Sequence, residues 1–307
     1  MRLPTVFTAL SNILCGYLVS QPERDPAAVF ASPTPWLLML ASAGLYLGGM
    51  VLNDVFDAAL DSVERPERPI PSGRITRTAA AAFGSVLLAL GLVAAAAADM
   101  VSGSDFIAVQ TAAVLAVAIV LYDAVLKSTP AGPFGMATCR FLNLMLGASC
   151  AGSLQYVYSS PQLTIALALF VYVVGVTWFA RNEAGQSTRS ALIMAFVVVL
   201  AGIGIDAWAV FRTLPNAKAL VESFRTPAVG ALIALGLVAA NLSWRISRAI
   251  RVNQPRLLQK SVGFMLLNII FIDAALTFAV TGSGRLAACI VILVLPATYL
   301  KRFIPMS

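Results

Sequence analysis

The chain has 307 residues, 59 % of them hydrophobic and 11 % charged, with 21 Lys and Arg against 14 Asp and Glu for a formal charge of +7. A soluble domain carries about 25 % charged residues, and a mean hydropathy of +0.86 leaves too little polar surface to face water. A soluble enzyme, a disordered tail, a nucleic-acid module and a disulfide scaffold are therefore excluded. What remains is an all-α polytopic membrane helix bundle, in which every backbone polar group is satisfied inside helices. In such a protein the basic excess reports topology and phosphate ligands, not a nucleic-acid partner.

A spanning helix needs about 20 mostly apolar residues. Runs of that kind lie near 5–19, 35–55, 77–98, 106–122, 134–153, 162–180, 190–210, 227–247, 261–281 and 285–302. The expected count is ten spans, with nine as the fallback, because the last run follows the tight break Gly282-Ser283-Gly284. Met1-Arg2-Leu3-Pro4 is too brief a basic region for the first span to read as a cleaved signal peptide. The connections are short, so residues 1–307 are expected to form one domain.

Placing the N-terminus in the cytoplasm puts fifteen of the 21 basic residues inside, including Arg65, Arg68, Lys127, Arg181 and Arg251. Five fall outside (Arg24, Arg212, Lys218, Arg225 and Arg285), and Arg140 lies within a span. This asymmetry predicts cytoplasmic N- and C-termini. No histidine is present, and Cys15, Cys139, Cys150 and Cys289 form no CxxC pair. The cysteines read as small buried hydrophobes, and any metal must be held by oxygen.

The second span ends in Asn53-Asp54-Val55-Phe56-Asp57-Ala58-Ala59-Leu60-Asp61. On a continuing helix the three acids fall at i, i+3 and i+7. They then share an arc of roughly 60°, with Asn53 at its edge. Carboxylates near a membrane are costly and read as functional by default. Three on one stripe repel unless they share divalent cations, and an all-oxygen donor set points to Mg²⁺ completed by substrate phosphates. The bland alternative is a solvated acidic helix end. The following loop, Glu64-Arg65-Pro66-Glu67-Arg68-Pro69-Ile70-Pro71-Ser72-Gly73-Arg74, combines a proline-stiffened backbone with forked phosphate donors. Alone it reads first as a proline-stiffened, positive-inside loop; beside the acidic stripe it reads as a diphosphate clamp.

Asn-Asp-x-x-Asp-x-x-x-Asp followed by Arg-Pro-x-Arg-Pro-Ile-Pro-Ser-Gly closely resembles the first signature of the UbiA superfamily of intramembrane prenyltransferases. The resemblance implies a nine-helix core over about residues 1–281, with a central cavity open to the cytoplasm and to lipid, and makes 285–302 an added tenth helix. It also implies a second acidic motif, typically Asp-x-x-x-Asp, after span 6. That place reads Arg181-Asn182-Glu183-Ala184-Gly185-Gln186-Ser187. Glu183 takes the first acidic position and Ser187 the second, so one carboxylate survives. The segment Trp178–Ser187 resembles the EboC-type branch, whose acceptor is poorly defined and which implies a bacterial inner (plasma) membrane.

The resemblance implies metal ligation by Asp54, Asp57, Asp61 and Glu183, the catalytic carboxylates. It implies substrate binding by Asn12, Asn53, Arg65, Arg68, Tyr122, Lys127, Arg140, Asn143, Arg181 and Asn182. Lys127 also reads as a positive-inside anchor. Arg140 and Asn143, at i and i+3, read either as cavity lining or as helix–helix glue; Asn12 shares that choice. Tyr122, Trp178 and Phe179 offer ring faces to an allylic cation or anchor the interface. The expected function is Mg²⁺-dependent transfer of a prenyl group from an isoprenyl diphosphate to a small-molecule acceptor at the cytoplasmic face, with membrane lipid around it. The rival is a catalytically altered relative acting as a transporter or lipid-binding protein.

Overall fold

The computed structural model describes residues 3–21, 25–183, 188–213 and 226–300, with the side chains of 182 and 183 excepted. Nine main helices follow in chain order: α1 (Val6–Ser20), α2 (Thr34–Phe56), α3 (Arg77–Ser102), α4 (Ile107–Ala124), α5 (Gly132–Ala148), α6 (Gln162–Glu183), α7 (Arg189–Phe211), α8 (Pro227–Val252) and α9 (Pro255–Thr281). No strand occurs among the described residues. Short connections force antiparallel neighbours. The C-terminal ends of α2, α4, α6 and α8 therefore gather at one end of the bundle.

Local chemistry sets the helix ends. Thr76 caps α3 by accepting from the Ala79 N–H, and Gly103 closes it at φ 71°. Asp99, near the end of α3, accepts the backbone N–H groups of Ala108 and Val109 through its two carboxylate oxygens. One buried acid thus satisfies two orphan donors at the start of α4.

Each helix packs on the next, and α9 returns to α1. Inner contacts of α1 with α5 and of α6 with α9 fill the centre, leaving α2–α4 on one flank and α7–α8 on the other. Close approach explains two of these seams. A Cβ on Gly16 of α1 would strike the Leu144 carbonyl of α5, and one on Gly147 of α5 would strike the Ile13 carbonyl of α1. Along α2 and α3, a Cβ on Gly44 would lie 2.9 Å from Leu87 O, and one on Gly91 2.9 Å from Ala41 O. Lipid offers no hydrophobic drive between helices, so such small-residue seams carry the packing.

Seven helices, α2–α4 and α6–α9, are long and apolar enough to cross a membrane. The inner helices α1 and α5 have 15 and 17 residues, about 22–26 Å. Longer neighbours surround them. The run at 285–302 departs from the single span expected. It forms two helices, Gly284–Val291 and Val294–Leu300, because Pro296 has no N–H for the Ile292 carbonyl and its ring crowds that group. Leu295 N–H bonds Ile292 O instead, at 3.0 Å. The fifth run ends earlier than expected, at Ala148, and continues as a 3₁₀ turn through Ala151. The ninth begins earlier, at Pro255.

Candidate functional site

The acidic stripe survives a joint in the helix. α2 stops at Phe56 and a short helix, Ala58–Glu64, takes over. Asp57 keeps helical dihedrals at the joint, and the bonds Asp57 N–H to Asn53 O (2.9 Å) and Asp61 N–H to Asp57 O (2.8 Å) continue the ladder. Asp54, Asp57 and Asp61 therefore stay on one side, as the spacing requires.

Two cations serve the three acids. Lys127 Nζ lies 2.6 Å from Asp57 Oδ1 and donates to Asn53 Oδ1 at 3.2 Å. Asn53 Nδ2 in turn donates to Asp57 Oδ2 at 2.9 Å. Arg68 reaches back to Asp61 Oδ2 at 2.6 Å and to Asp54 Oδ1 at 3.6 Å. Asp61 is the buried member of the stripe, whereas the Asp54 side chain is 43 % exposed. The Arg68–Asp61 pair folds the proline loop onto the helix end. The loop is also bonded within itself, Ser72 N–H to Arg68 O and Ile75 N–H to Pro69 O, and it turns at Gly73 with φ 73°. Arg65 is exposed and makes no ion pair among the described residues.

Arg181, at the end of α6, donates to the Thr129 carbonyl in the loop after α4. This brings the end of the second acidic segment beside the Lys127 loop. The side chains of Asn182 and Glu183 lie outside the described residues, as do Gln186 and Ser187. Tyr122 is half-buried, one ring carbon 3.1 Å from where a Gly135 Cβ would sit. Trp178 is half-buried, and Phe179 is fully buried in the hydrophobic core.

Asn12, Arg140 and Asn143 do not join this cluster; they form a second, interhelical one. Arg140 donates to Asn12 Oδ1 (3.3 Å) and Thr8 Oγ1 (3.0 Å), and lies 5.5 Å from the Tyr46 ring centre. Asn143 Nδ2 donates to Ala9 O at 2.8 Å and its Oδ1 accepts from Ser42 at 2.6 Å. Asn12 Nδ2 and Ser11 Oγ both donate to Asp273 Oδ2, at 2.8 and 2.6 Å. Of the two readings of this face, helix–helix hydrogen bonding is the one the contacts display. Sequence reasoning missed Asp273 and Asp206. The signal was present: an acid inside an otherwise apolar span is expensive.

The donor chemistry at the motif end fits a hard divalent cation: three carboxylates and a carboxamide, all oxygen. In this conformation each acid is engaged by Lys127 or Arg68, and no group of three or more such ligands converges on a point among the described residues. The pairs at Asp57 and Asp54 are partly exposed, so each contributes little on its own and yields readily to a stronger partner.

A digeranylgeranylglyceryl phosphate synthase of Methanoregula boonei is 40 % identical over 119 residues, 38 % of this chain and 40 % of that protein. The chain thus spans about two fifths of the length of such a curated relative. Among solved structures, an apo UbiA homologue from Aeropyrum pernix superposes with TM-score 0.62 at 18 % identity, over 88 % of this chain and 96 % of that one. A UbiA homologue from Archaeoglobus fulgidus bound to GPP and Mg²⁺ does so with TM-score 0.53 at 14 % identity, over 92 % of this chain and all of that one. These likenesses carry the fold. With the family profile of UbiA prenyltransferases matching residues 9–270, the chain belongs to the UbiA prenyltransferase family.

Proposed function

We propose that the chain transfers a prenyl group from an isoprenyl diphosphate to a small acceptor, with Mg²⁺ as cofactor, at the end of the bundle that carries Asp54. The observation that carries this reading is the acidic stripe Asp54–Asp57–Asp61 held together with Arg68 and Lys127. Asp54 and Asp57, with Asp61 and Glu183, would hold Mg²⁺. When bound, the ion offsets diphosphate charge and makes the diphosphate a better leaving group.

The chain's own residues do the rest. Lys127 and Arg68 turn from their carboxylates to the diphosphate oxygens, gaining charge-assisted hydrogen bonds. Asn53 fixes the Lys127 ammonium through its Oδ1. Arg65, exposed on the same loop, is free to reach an incoming phosphate, and Arg181 sits beside the Lys127 loop as a further donor. As the carbon–oxygen bond loosens, the aromatic ring of Tyr122 faces the allylic cation. The apolar tail lies between helices, where water is scarce and the cation is protected.

This end is cytoplasmic, in keeping with the basic residues gathered there. The assignment to the EboC-type branch in a bacterial membrane rests on the segment from Trp178 to Ser187 and leaves the acceptor open. The named relatives make geranylgeranyl diphosphate the first donor to try and a glyceryl phosphate lipid the first acceptor. Purified protein is given radiolabelled isoprenyl diphosphates of several chain lengths with a panel of acceptors, in Mg²⁺ or in EDTA. Mg²⁺-dependent product supports the proposal. Tight isoprenoid binding without turnover across the panel supports a binding protein instead.

A further inference from the structure

The outer face of α8 carries a pattern that neither helix packing nor the diphosphate site uses. Ile233, Leu237 and Trp244 are 48 %, 68 % and 65 % exposed, and Arg248 and Arg251 are exposed beyond them. At about 100° per residue these five share an arc of roughly 60°. An apolar stripe thus runs along the outside of the helix, passes a tryptophan and ends on two guanidinium groups. By helical rise, Leu237 and Arg251 each lie about 10 Å from Trp244 along the axis.

The cations at that end are gathered from three helices. α8 turns into α9 at Asn253, with φ 52°, and the two helices pack side by side. Arg245, Arg248 and Arg251 of α8 are thereby joined by Arg256 and Lys260 of α9, all exposed. Arg245 is held against α9, 4.4 Å from the Phe264 ring centre. α7 adds Arg189, whose Nη2 donates to the Arg251 carbonyl at 3.2 Å. No Asp or Glu occurs from 227 to 272, and none of these cations enters an ion pair among the described residues. Like charges three and four residues apart on a helix repel, and an anion relieves that repulsion. Topology accounts for cations at this end, but it does not require an exposed apolar stripe and a tryptophan in line with them. A free phosphate would answer the charges and leave the stripe. An anionic phospholipid answers both.

We infer that the outer face of α8, with Arg189, Arg256 and Lys260 around its end, is a binding surface for an anionic phospholipid of the leaflet on the Asp54 side. The acyl chain lies along Ile233 and Leu237, and Trp244 sits at the interface, where its amphipathic ring is at home. Arg248 and Arg251 extend their apolar stems along the chain and offer forked donors to the phosphate oxygens. The surface belongs to the α7–α8 flank, across the bundle from α2 and its acidic stripe. It therefore operates whatever reaction the Asp54 end performs.

The test uses the full chain carrying Trp36→Phe, Trp178→Phe and Trp208→Phe, so that Trp244 is the reporter. It is reconstituted in mixed phosphatidylcholine and phosphatidylglycerol vesicles, with one lipid or the other brominated on its acyl chains. Quenching of Trp244 then reads which lipid occupies the face. The surface predicts a preference for phosphatidylglycerol of about 5-fold or more, the scale of attraction of one juxtamembrane arginine to an anionic leaflet. Arg248→Gln with Arg251→Gln should bring the preference close to one. Arg74→Gln with Arg77→Gln, which removes equal charge from the same end, should keep it. If the tryptophan replacements prevent elution as a single peak, native mass spectrometry of the wild-type chain and of the two double variants compares retention of the same lipids. Equal occupancy by the two lipids without the arginine changes would overturn the inference, because the cations would then report topology alone. So would a preference that survives Arg248→Gln with Arg251→Gln, or one that falls equally in both double variants.

Discussion

Asp54, Asp57 and Asp61 differ in how firmly they are held. Asp57 is bound by Lys127 and Asn53, Asp61 is buried under Arg68, and Asp54 has the long 3.6 Å contact and the greatest exposure. Asp54 is thus the acid most open to a ligand, and Asp61 the one that positions the loop. Asp54→Ala or Asp57→Ala should lower turnover by about 100-fold or more, since disturbing even the groups that orient a metal ligand costs about 10–100-fold, with unchanged elution as a monodisperse peak in detergent. Normal turnover in either variant would contradict the assignment. Glu183 has no acidic neighbour at the place of its usual partner, which is Ser187. Glu183→Gln should raise the Mg²⁺ concentration for half-maximal rate, and Ser187→Asp should lower it. Separate titrations of Mg²⁺ and acceptor check both. If Ser187→Asp instead raises only the acceptor's KM, the serine makes room for the acceptor.

At the level of elements, most of the bundle was legible in the sequence because apolar runs of about 20 residues have few other uses. Nine of the ten runs recur as single main helices, the tenth is broken in two, and the i, i+3, i+7 stripe persists through the joint at Asp57. Contacts between helices were less legible. Arg140 and Asn143 declare a polar face, but their partners Thr8, Ala9, Asn12 and Ser42 lie about 100 residues or more away, and helical spacing says nothing of which helix will meet them. The break in the final run was readable from Pro296, since proline denies a donor to the residue four positions before it. Pro296→Ala should join Gly284–Val291 to Val294–Leu300. Amide exchange at Ile292–Ala297 would slow on that change, and unaltered exchange would mean that something other than the proline makes the break. The α1–α5 seam gives the opposite sign: Gly16→Leu drives a side chain into the Leu144 carbonyl. Overpacking of this kind costs about 1–3 kcal/mol or more, read as a fall in Tm, while Gly204→Leu, where nothing lies within 4 Å, should change Tm little.

Across the whole molecule, the acidic stripe, the basic loops and the α6 terminus share one end, while Asp206 and Thr277 lie toward the other. Large apolar side chains such as Leu40, Leu90, Val197 and Leu237 are exposed on the flanks, as lipid-facing helices require. Single cysteines at Ser72 and Ser104, in a background lacking the four native cysteines, should differ in labelling by a membrane-impermeant maleimide. Ser104 should react from outside the cell, and Ser72 only after permeabilisation; the reverse would invert the orientation. The central claim is that the Asp54 end performs prenyl transfer, and the most direct measurement is product formed from radiolabelled geranylgeranyl diphosphate and a glyceryl phosphate lipid by the purified chain. The account predicts product with Mg²⁺, none in EDTA, and a loss of at least about 100-fold in Asp57→Ala. Product formed equally well in EDTA, or by Asp57→Ala, would contradict it.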